Sequence, residues 1–166
     1  MSRDPQIERV KERFTRTAQQ FASFSLAKRS AEAEKLVVLA APRGTERALD
    51  VACGPGTFAR AFARRVRWIA GVDVATPMMV KGREAAASEG ITNLAWGCSN
   101  AALLPFADGA FDLVTCGYAV HHFGQPARSL AEVARVLRAG GRLALMDLIV
   151  PGDECAEAGR ANNEIE

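Results

Sequence analysis

The chain has few residues of the kinds that mark metal sites or stapled scaffolds. Its four cysteines, Cys53, Cys98, Cys116 and Cys155, lie far apart, with no CxxC pair and no histidine at zinc-ligand spacing, which argues against a metal site. In a chain of this length they read as free thiols in a reducing compartment. Net charge is also scarce: 21 basic against 19 acidic residues leave +2, too little for the basic face that a nucleic-acid partner demands. No run approaches the roughly 18 apolar residues of a membrane span. The start, Met1 to Pro5, enters a charged amphipathic segment without the apolar core of a leader. A cytoplasmic protein with no membrane partner is expected. What remains is ordinary globular material, 166 residues with 49% hydrophobic and 24% charged, enough for about one domain.

The pattern along the chain is repetitive after a helical preface. Ile7, Val10, Phe14, Ala18 and Phe21 fall at steps of three and four, which predicts a helix over 5–24 with Asp4 as cap and Pro5 in its first turn. A second helix is predicted over 30–40, striped by Ala33, Leu36, Val37 and Ala40 and closed by Pro42-Arg43-Gly44. From there short apolar runs alternate with helical segments: strands at 48–51, 68–72, 94–96, 111–116 and 142–150, helices over 57–65 and 77–88, and one from Pro126 that buries Leu130, Val133 and Leu137 until Gly140-Gly141 ends it. The fold class expected is α/β: a Rossmann-like, doubly wound parallel sheet of about five strands with helices on both faces. Continuous apolar runs fit strands covered on both sides. The expected organisation is a helical cover over 1–44, a core over 45–151 and a linker with the start of a helix over 152–166.

Two features carry chemistry. The run Leu49-Asp50-Val51-Ala52-Cys53-Gly54-Pro55-Gly56-Thr57 is a strand that ends in a glycine turn and opens a helix, where backbone approaches a ligand closely and helix amides face it. Alone, a G-x-G-x-x-A match also describes a plain turn; the strand before it and the helix after it supply the context the fingerprint needs. Asp73 closes the next apolar run, 19 residues after Gly54, where a carboxylate accepts hydrogen bonds from both ribose hydroxyls. A solvated strand-end aspartate is the plain alternative. Together the two features specify an adenosine-containing ligand without specifying which.

Several blocks in order carry a resemblance. Leu49 to Gly56 resembles motif I of class I S-adenosylmethionine-dependent methyltransferases. Gly71 to Met79, Leu104 to Val114, Val120-His121-His122-Phe123 and Glu132 to Arg142 are similar to the blocks that follow. The resemblance runs from about Phe14 to Pro151 and is nearest to the type 11 group that includes ubiquinone and menaquinone C-methyltransferases. It implies S-adenosylmethionine as cofactor, with Asp50 and the backbone of Ala52, Gly54 and Gly56 at the methionine end and Asp73 on the ribose. Val74 and Met78 would pack on adenine, Asn100 and Ala101 would stand at its edge, and backbone near Cys116 and Gly117 would accept from its amino group. A zwitterionic methionine end needs donors and acceptors together, which suits an acid beside the turn better than a pyrophosphate does.

The sequence also departs from that pattern. Asn100 stands in place of the usual aspartate and Ala102 in place of a second acid; Ala52 replaces the first glycine, which is tolerable at negative φ; Phe21 replaces a tyrosine that bonds near the cofactor carboxylate. The expected reaction is methyl transfer to carbon, oxygen or nitrogen of a small organic acceptor, in which the protein mainly orients and dries the site. His121 is the candidate base, with His122 beside it; the plain reading has one histidine packed under the loop and the other solvated. Arg60, Arg64, Arg65 and Arg67 read as a solvated face, Met78 and Met79 serve either helix packing or adenine, and the Phe14 stripe reads as core that also covers the cofactor. Two other readings stay open: a cofactor-binding fragment or module without turnover, and a nicotinamide-dependent oxidoreductase, against which stand Asp50, Cys53 and the absence of a Tyr-x-x-x-Lys pair around Tyr118. The group adds a C-terminal β-hairpin and a helical cover, and neither is legible before Glu166. The strand 142–150 is then expected as a hydrophobic edge, open to a homo-oligomer.

Overall fold

A computed structural model describes residues 5–18, 20 and 29–148. Two helices, α1 (Pro5–Arg16) and α2 (Ser30–Ala40), precede β1 (Arg47–Val51), α3 (Thr57–Ala63), β2 (Trp68–Asp73), α4 (Thr76–Ser88) and β3 (Leu94–Cys98). After a loop come β4 (Phe111–Gly117), a 3-10 turn (Val120–His122), α5 (Pro126–Val136) and β5 (Leu137–Met146). All neighbouring strands pair in parallel, in the order β3-β2-β1-β4-β5. The expected doubly wound α/β sheet is present. Among the described residues no helix is long and apolar enough to cross a membrane.

Alternation along the strands assigns the two faces. Ala48, Ile69, Leu113 and Ala144 pack with Leu36 of α2 and Phe62 of α3. Their neighbours Leu49, Val51, Ala70, Val72 and Val114 pack with Val133 and Val136 of α5 and with Leu104 of the β3–β4 loop. The central strands are buried on both sides, so their sequences read as unbroken apolar runs. Chain direction across the sheet reverses between β1 and β4, and that reversal places the ligand crevice.

Two polar nodes hold the outer parts in register. The buried carboxylate of Glu46 receives Arg142 Nη1 at 2.9 Å and Arg43 N–H at 2.6 Å, tying the α2–β1 junction to β5. Arg135 donates to Glu132, to Asp108 and to the carbonyls of Leu104 and Phe106, while Glu132 also accepts Leu104 N–H at 2.8 Å. Those bonds hold the Glu132 carboxyl down at about 2, and they fasten the β3–β4 loop to α5.

Several boundaries differ from expectation. The last helix ends at Val136, not at the glycine pair, because Leu137 turns extended and pairs with Phe111 while Arg138 bonds Asp112 Oδ1 at 2.5 Å. Leu130, expected to be buried, lies on an open face, 39% exposed. β5 stops at Met146, and Ile149 and Val150 lie outside the described residues, as do Asp4, Phe21, Cys155 and 152–166. Helix α2 keeps its expected bounds and closes through Ala41 in the left-handed region, with its N–H on Val37 O. Arg60 is a correction to the solvated arginine face: it is 7% exposed and paired with Glu89, which Arg64 also reaches at 2.7 Å.

Candidate functional site

A cleft open to solvent lies over the C-terminal ends of β1, β2 and β4. Its floor is the turn after β1. Cys53 N–H donates to Val72 O at 3.0 Å and Gly56 N–H to Cys53 O at 2.8 Å, so the turn hangs from β2. Three of its residues take positive φ: Ala52 (54°), Gly54 (53°) and Gly56 (72°). The condition under which alanine replaces glycine cheaply at position 52, a negative φ, is therefore not met. The turn demands the left-handed region where alanine is strained by roughly 1–2 kcal/mol.

The turn and Asp73 form one unit. Asp73 Oδ2 accepts Gly54 N–H at 2.8 Å and Oδ1 accepts Ala75 N–H at 2.7 Å. Burial raises this carboxyl, and the backbone donors at Ala75, Gly54 and Val74 oppose the rise. Each oxygen keeps a second lone pair for a ligand hydroxyl. Gly54 suits this spot through its φ of 53°, where a Cβ would be strained and would also crowd Met78 Cε at 3.2 Å. Met78, Val74, Asn100, Ala101 and Ala102 carry the wall onward, where an adenine-sized plane fits between apolar groups. The Asn100 amide oxygen already accepts Ala102 N–H at 2.9 Å, which shapes this wall and leaves one lone pair.

Three expected ligand residues sit behind the wall. Asp50 is 1% exposed beneath α3; its Oδ1 accepts the Thr115 hydroxyl at 2.7 Å, and its Oδ2 is buried without a partner. Desolvation, opposed by the Thr115 bond, pushes Asp50 up to about 7. Gly56 serves packing: a Cβ there would strike the Trp96 ring at 2.3 Å. Cys116 is buried under the cleft, its thiol raised by desolvation and by Asp50, while its neighbour Gly117 is on the wall. Gly117 admits Phe58, whose ring would lie 2.3 Å from an added Cβ.

The histidines divide differently from expectation. His121 is not on the cleft wall; its Nδ1 meets Asp147 Oδ1 at 2.5 Å and its N–H donates to Asp147 Oδ2 at 3.2 Å. Burial works against the Asp147 carboxylate, yet donors from Leu148 and His121 hold it below its ordinary value. His122 is the histidine that faces the cleft, its ring edge-on to Phe14 at 5.1 Å and 3.9 Å from the His121 ring. Desolvation, then His121, Arg13 and Arg29, lower it to about 4 against the pull of Asp147, so at neutral pH it is an uncharged imidazole. Phe14 joins Ala18, Ala75 and Met78 in a small apolar cluster, which places α1 over the cleft.

Sequence reasoning passed over Arg29, Tyr118 and Asp147. Asp147 had a usable signal, a carboxylate at the end of an apolar strand like Asp73; Arg29 and Tyr118 had none beyond their loops.

The donor and acceptor set fits S-adenosylmethionine. The orphaned Oδ2 of Asp50 suits an ammonium, and the Asp73 carboxylate, locked to the Gly54 turn, suits a diol. Comparison with known proteins agrees. The methyltransferase domain family model matches residues 49–145. The uncharacterized methyltransferase YcgJ of Bacillus subtilis is 39% identical over 111 residues, 67% of this chain and 44% of that protein. Ubiquinone/menaquinone biosynthesis C-methyltransferase UbiE of Dinoroseobacter shibae is 38% identical over 110 residues, 64% of this chain and 44% of that one. The crystal structure of YcgJ gives a TM-score of 0.72 at 35% identity, over 77% of this chain and 55% of that. The [4+2]-cyclase SpnF gives 0.65 at 28% identity, over 70% and 43%. The chain spans about half the length of the curated relatives it matches. Sheet order, glycine turn, paired Asp73 and motif blocks converge: the chain belongs to the family of S-adenosylmethionine-dependent methyltransferase domains.

Proposed function

We propose that this chain binds S-adenosylmethionine in the cleft over β1, β2 and β4 and directs its methyl group to carbon, oxygen or nitrogen of a small organic acceptor. The observation that carries the reading is the Gly54–Asp73 unit, a left-handed glycine turn locked to a buried strand-end carboxylate. When bound, the cofactor supplies a methyl group already activated on a sulfonium. The residues then have positioning to do. Asp73 takes the ribose hydroxyls, Val74 and Met78 flank adenine with Asn100 and Ala101 at its edge, and backbone at Gly117 and behind it at Cys116 accepts from the amino group. Asp50 Oδ2 receives the ammonium, directly or through one water, below the backbone of Ala52, Gly54 and Gly56. α1 excludes water with Phe14.

His121, whose ring lies 3.9 Å from that of the cleft-facing His122, is the proposed base for an acceptor proton presented at that edge of the cleft. Asp147 holds its Nδ1, which leaves Nε2 as the proton-accepting nitrogen. The small net charge supports a small-molecule acceptor over nucleic acid, and the free thiols of Cys53, Cys98 and Cys116 support a reducing, cytoplasmic setting.

Because a [4+2]-cyclase shares this fold, cofactor binding alone does not establish turnover. The test is transfer of labelled methyl from S-adenosylmethionine to a panel of quinols, phenols and amines. Label in an acceptor supports the proposal; binding without transfer to any of them supports a module that holds the cofactor without turnover.

A further inference from the structure

The end of the sheet opposite the cleft gathers positive charge. β1 starts at Arg47 and β2 at Trp68, and Glu46 ties the two starts together. Its N–H donates to Arg43 O at 3.0 Å, closing a turn, and its carbonyl accepts Arg67 N–H at 3.0 Å. Arg65 N–H donates to Phe62 O at 2.8 Å at the end of α3. The Asn93 amide bonds the carbonyls of Ala63 and Val66 at 2.8 and 3.1 Å, which fixes the loop that carries Arg65 and Arg67. Arg43, Arg47, Arg65 and Arg67 thus share one small surface, and all four are exposed.

The acids of this end are already committed. Glu46 is buried and holds Arg142, Asp112 holds Arg138 and the Arg47 N–H, and Glu89 holds Arg60 and Arg64. Among the described residues no carboxylate pairs with Arg43, Arg65 or Arg67, and the Arg47 guanidinium lies over the Trp68 ring, 5.8 Å from its centroid. A net charge of +2 hides this surface, because other acids sit elsewhere: Glu32 and Glu34 in the N-terminal half of α2, Asp73 at the cleft. Bare apolar groups adjoin the arginines. The last turn of α2 buries Val37 and leaves Val38 and Leu39 76% and 78% exposed. Arg142 makes the two parts neighbours, since its Nη2 donates to Ala40 O at 3.3 Å while its Nη1 holds Glu46.

Exposed aliphatic groups beside unpaired guanidiniums complement a surface that is anionic at its rim and apolar beneath. We infer that this end of the molecule docks peripherally on an anionic phospholipid surface, with Arg43, Arg47, Arg65 and Arg67 on headgroup phosphates and Val38 and Leu39 sunk between the headgroups. A nucleic acid offers the phosphates but nothing for the two aliphatic side chains. The chain lies on the bilayer in this arrangement, consistent with described helices too short or too polar to cross one. The expectation of no membrane partner came from the lack of a spanning run and from the small net charge, and neither bears on where the charges sit. Docking at this end leaves the cleft, at the other ends of the strands, open to water and does not depend on what the cleft binds.

Co-sedimentation of the whole chain with vesicles tests it. On phosphatidylcholine vesicles with about 30% phosphatidylglycerol, wild type is expected to sediment at about 0.1 M salt and to be released by about 0.5 M; with phosphatidylcholine alone it stays in solution. The pair Arg65→Ser and Arg67→Ser should weaken binding to the anionic vesicles about tenfold or more, and the pair Val38→Ser and Leu39→Ser by a similar factor. Leu103→Ser, which removes an exposed apolar side chain from the β3–β4 loop, should leave binding within twofold of wild type. Circular dichroism melts within a few degrees of wild type show that the variants are folded. Equal sedimentation with both vesicles, none with either, or binding left intact by either pair of substitutions overturns the inference. Retention by duplex RNA without binding to the anionic vesicles overturns it as well.

Discussion

Ala52 shows how a single residue is held by the turn rather than by its own preference. Its φ of 54° is forced by the bonds that hang the turn from Val72, and the position asks for glycine. Ala52→Gly is expected to raise stability by about 1 kcal/mol, since relief of left-handed strain outweighs the added chain entropy, and to lift Tm by about 2–4 °C in a chain of this size. A thermal melt with unchanged or lower Tm contradicts the assignment. Asp50 makes a second residue-scale prediction. Burial pushes its carboxyl up to about 7 in the folded protein from an ordinary value of 3.8, so the folded state binds the proton more tightly than the unfolded one. Stability from this group is present at low pH and is lost as pH rises from about 4 through 7. Asp50→Asn is therefore expected to flatten that decline, to be more stable than wild type at pH 8, and to bind S-adenosylhomocysteine about tenfold more weakly. Denaturant midpoints at pH 5 and pH 8 check the sign; a variant less stable than wild type at pH 8 contradicts it.

At the scale of elements, what was legible in the sequence was whatever repeats. Central strands and the helices between them declared themselves because burial on both faces leaves unbroken apolar runs such as Trp68 to Val72. The glycine turn and Asp73 declared themselves because only their pairing, 19 positions apart, closes the floor. The end of α5 was hidden, since Gly140 and Gly141 look like a helix stop, while the true stop is the pairing of Leu137 with Phe111, a contact across the sheet that local sequence does not contain. The roles of His121 and His122 were hidden for the same reason: which ring faces the cleft depends on Asp147 and Phe14, from elements far along the chain. β5 carries the element-scale prediction. It lies at the edge of the described sheet with Leu143 and Leu145 40% and 45% exposed, and such an edge pairs or is covered. Self-association that grows with concentration is expected by light scattering, reduced by Leu143→Lys and Leu145→Lys. The alternative is an ordered segment over the edge. A monomer at every concentration whose amides over 142–146 exchange rapidly contradicts both.

For the whole molecule, the sheet order, the reversal between β1 and β4 and the cleft above it converge on one adenosine ligand lying across the turn. The fold alone accommodates nicotinamide dinucleotides as well as S-adenosylmethionine. The choice between them rests on the charges: a buried carboxylate at Asp50 with one oxygen unpartnered and a diol-binding carboxylate at Asp73 suit an ammonium and a ribose and give a pyrophosphate little to bind. Calorimetric titration of the wild-type chain and of Asp73→Ala with S-adenosylhomocysteine and with NAD tests this most directly. The account predicts saturable binding of S-adenosylhomocysteine by wild type, at least tenfold weaker binding by Asp73→Ala, and no saturable heat with NAD. Saturable binding of NAD without binding of S-adenosylhomocysteine would contradict it.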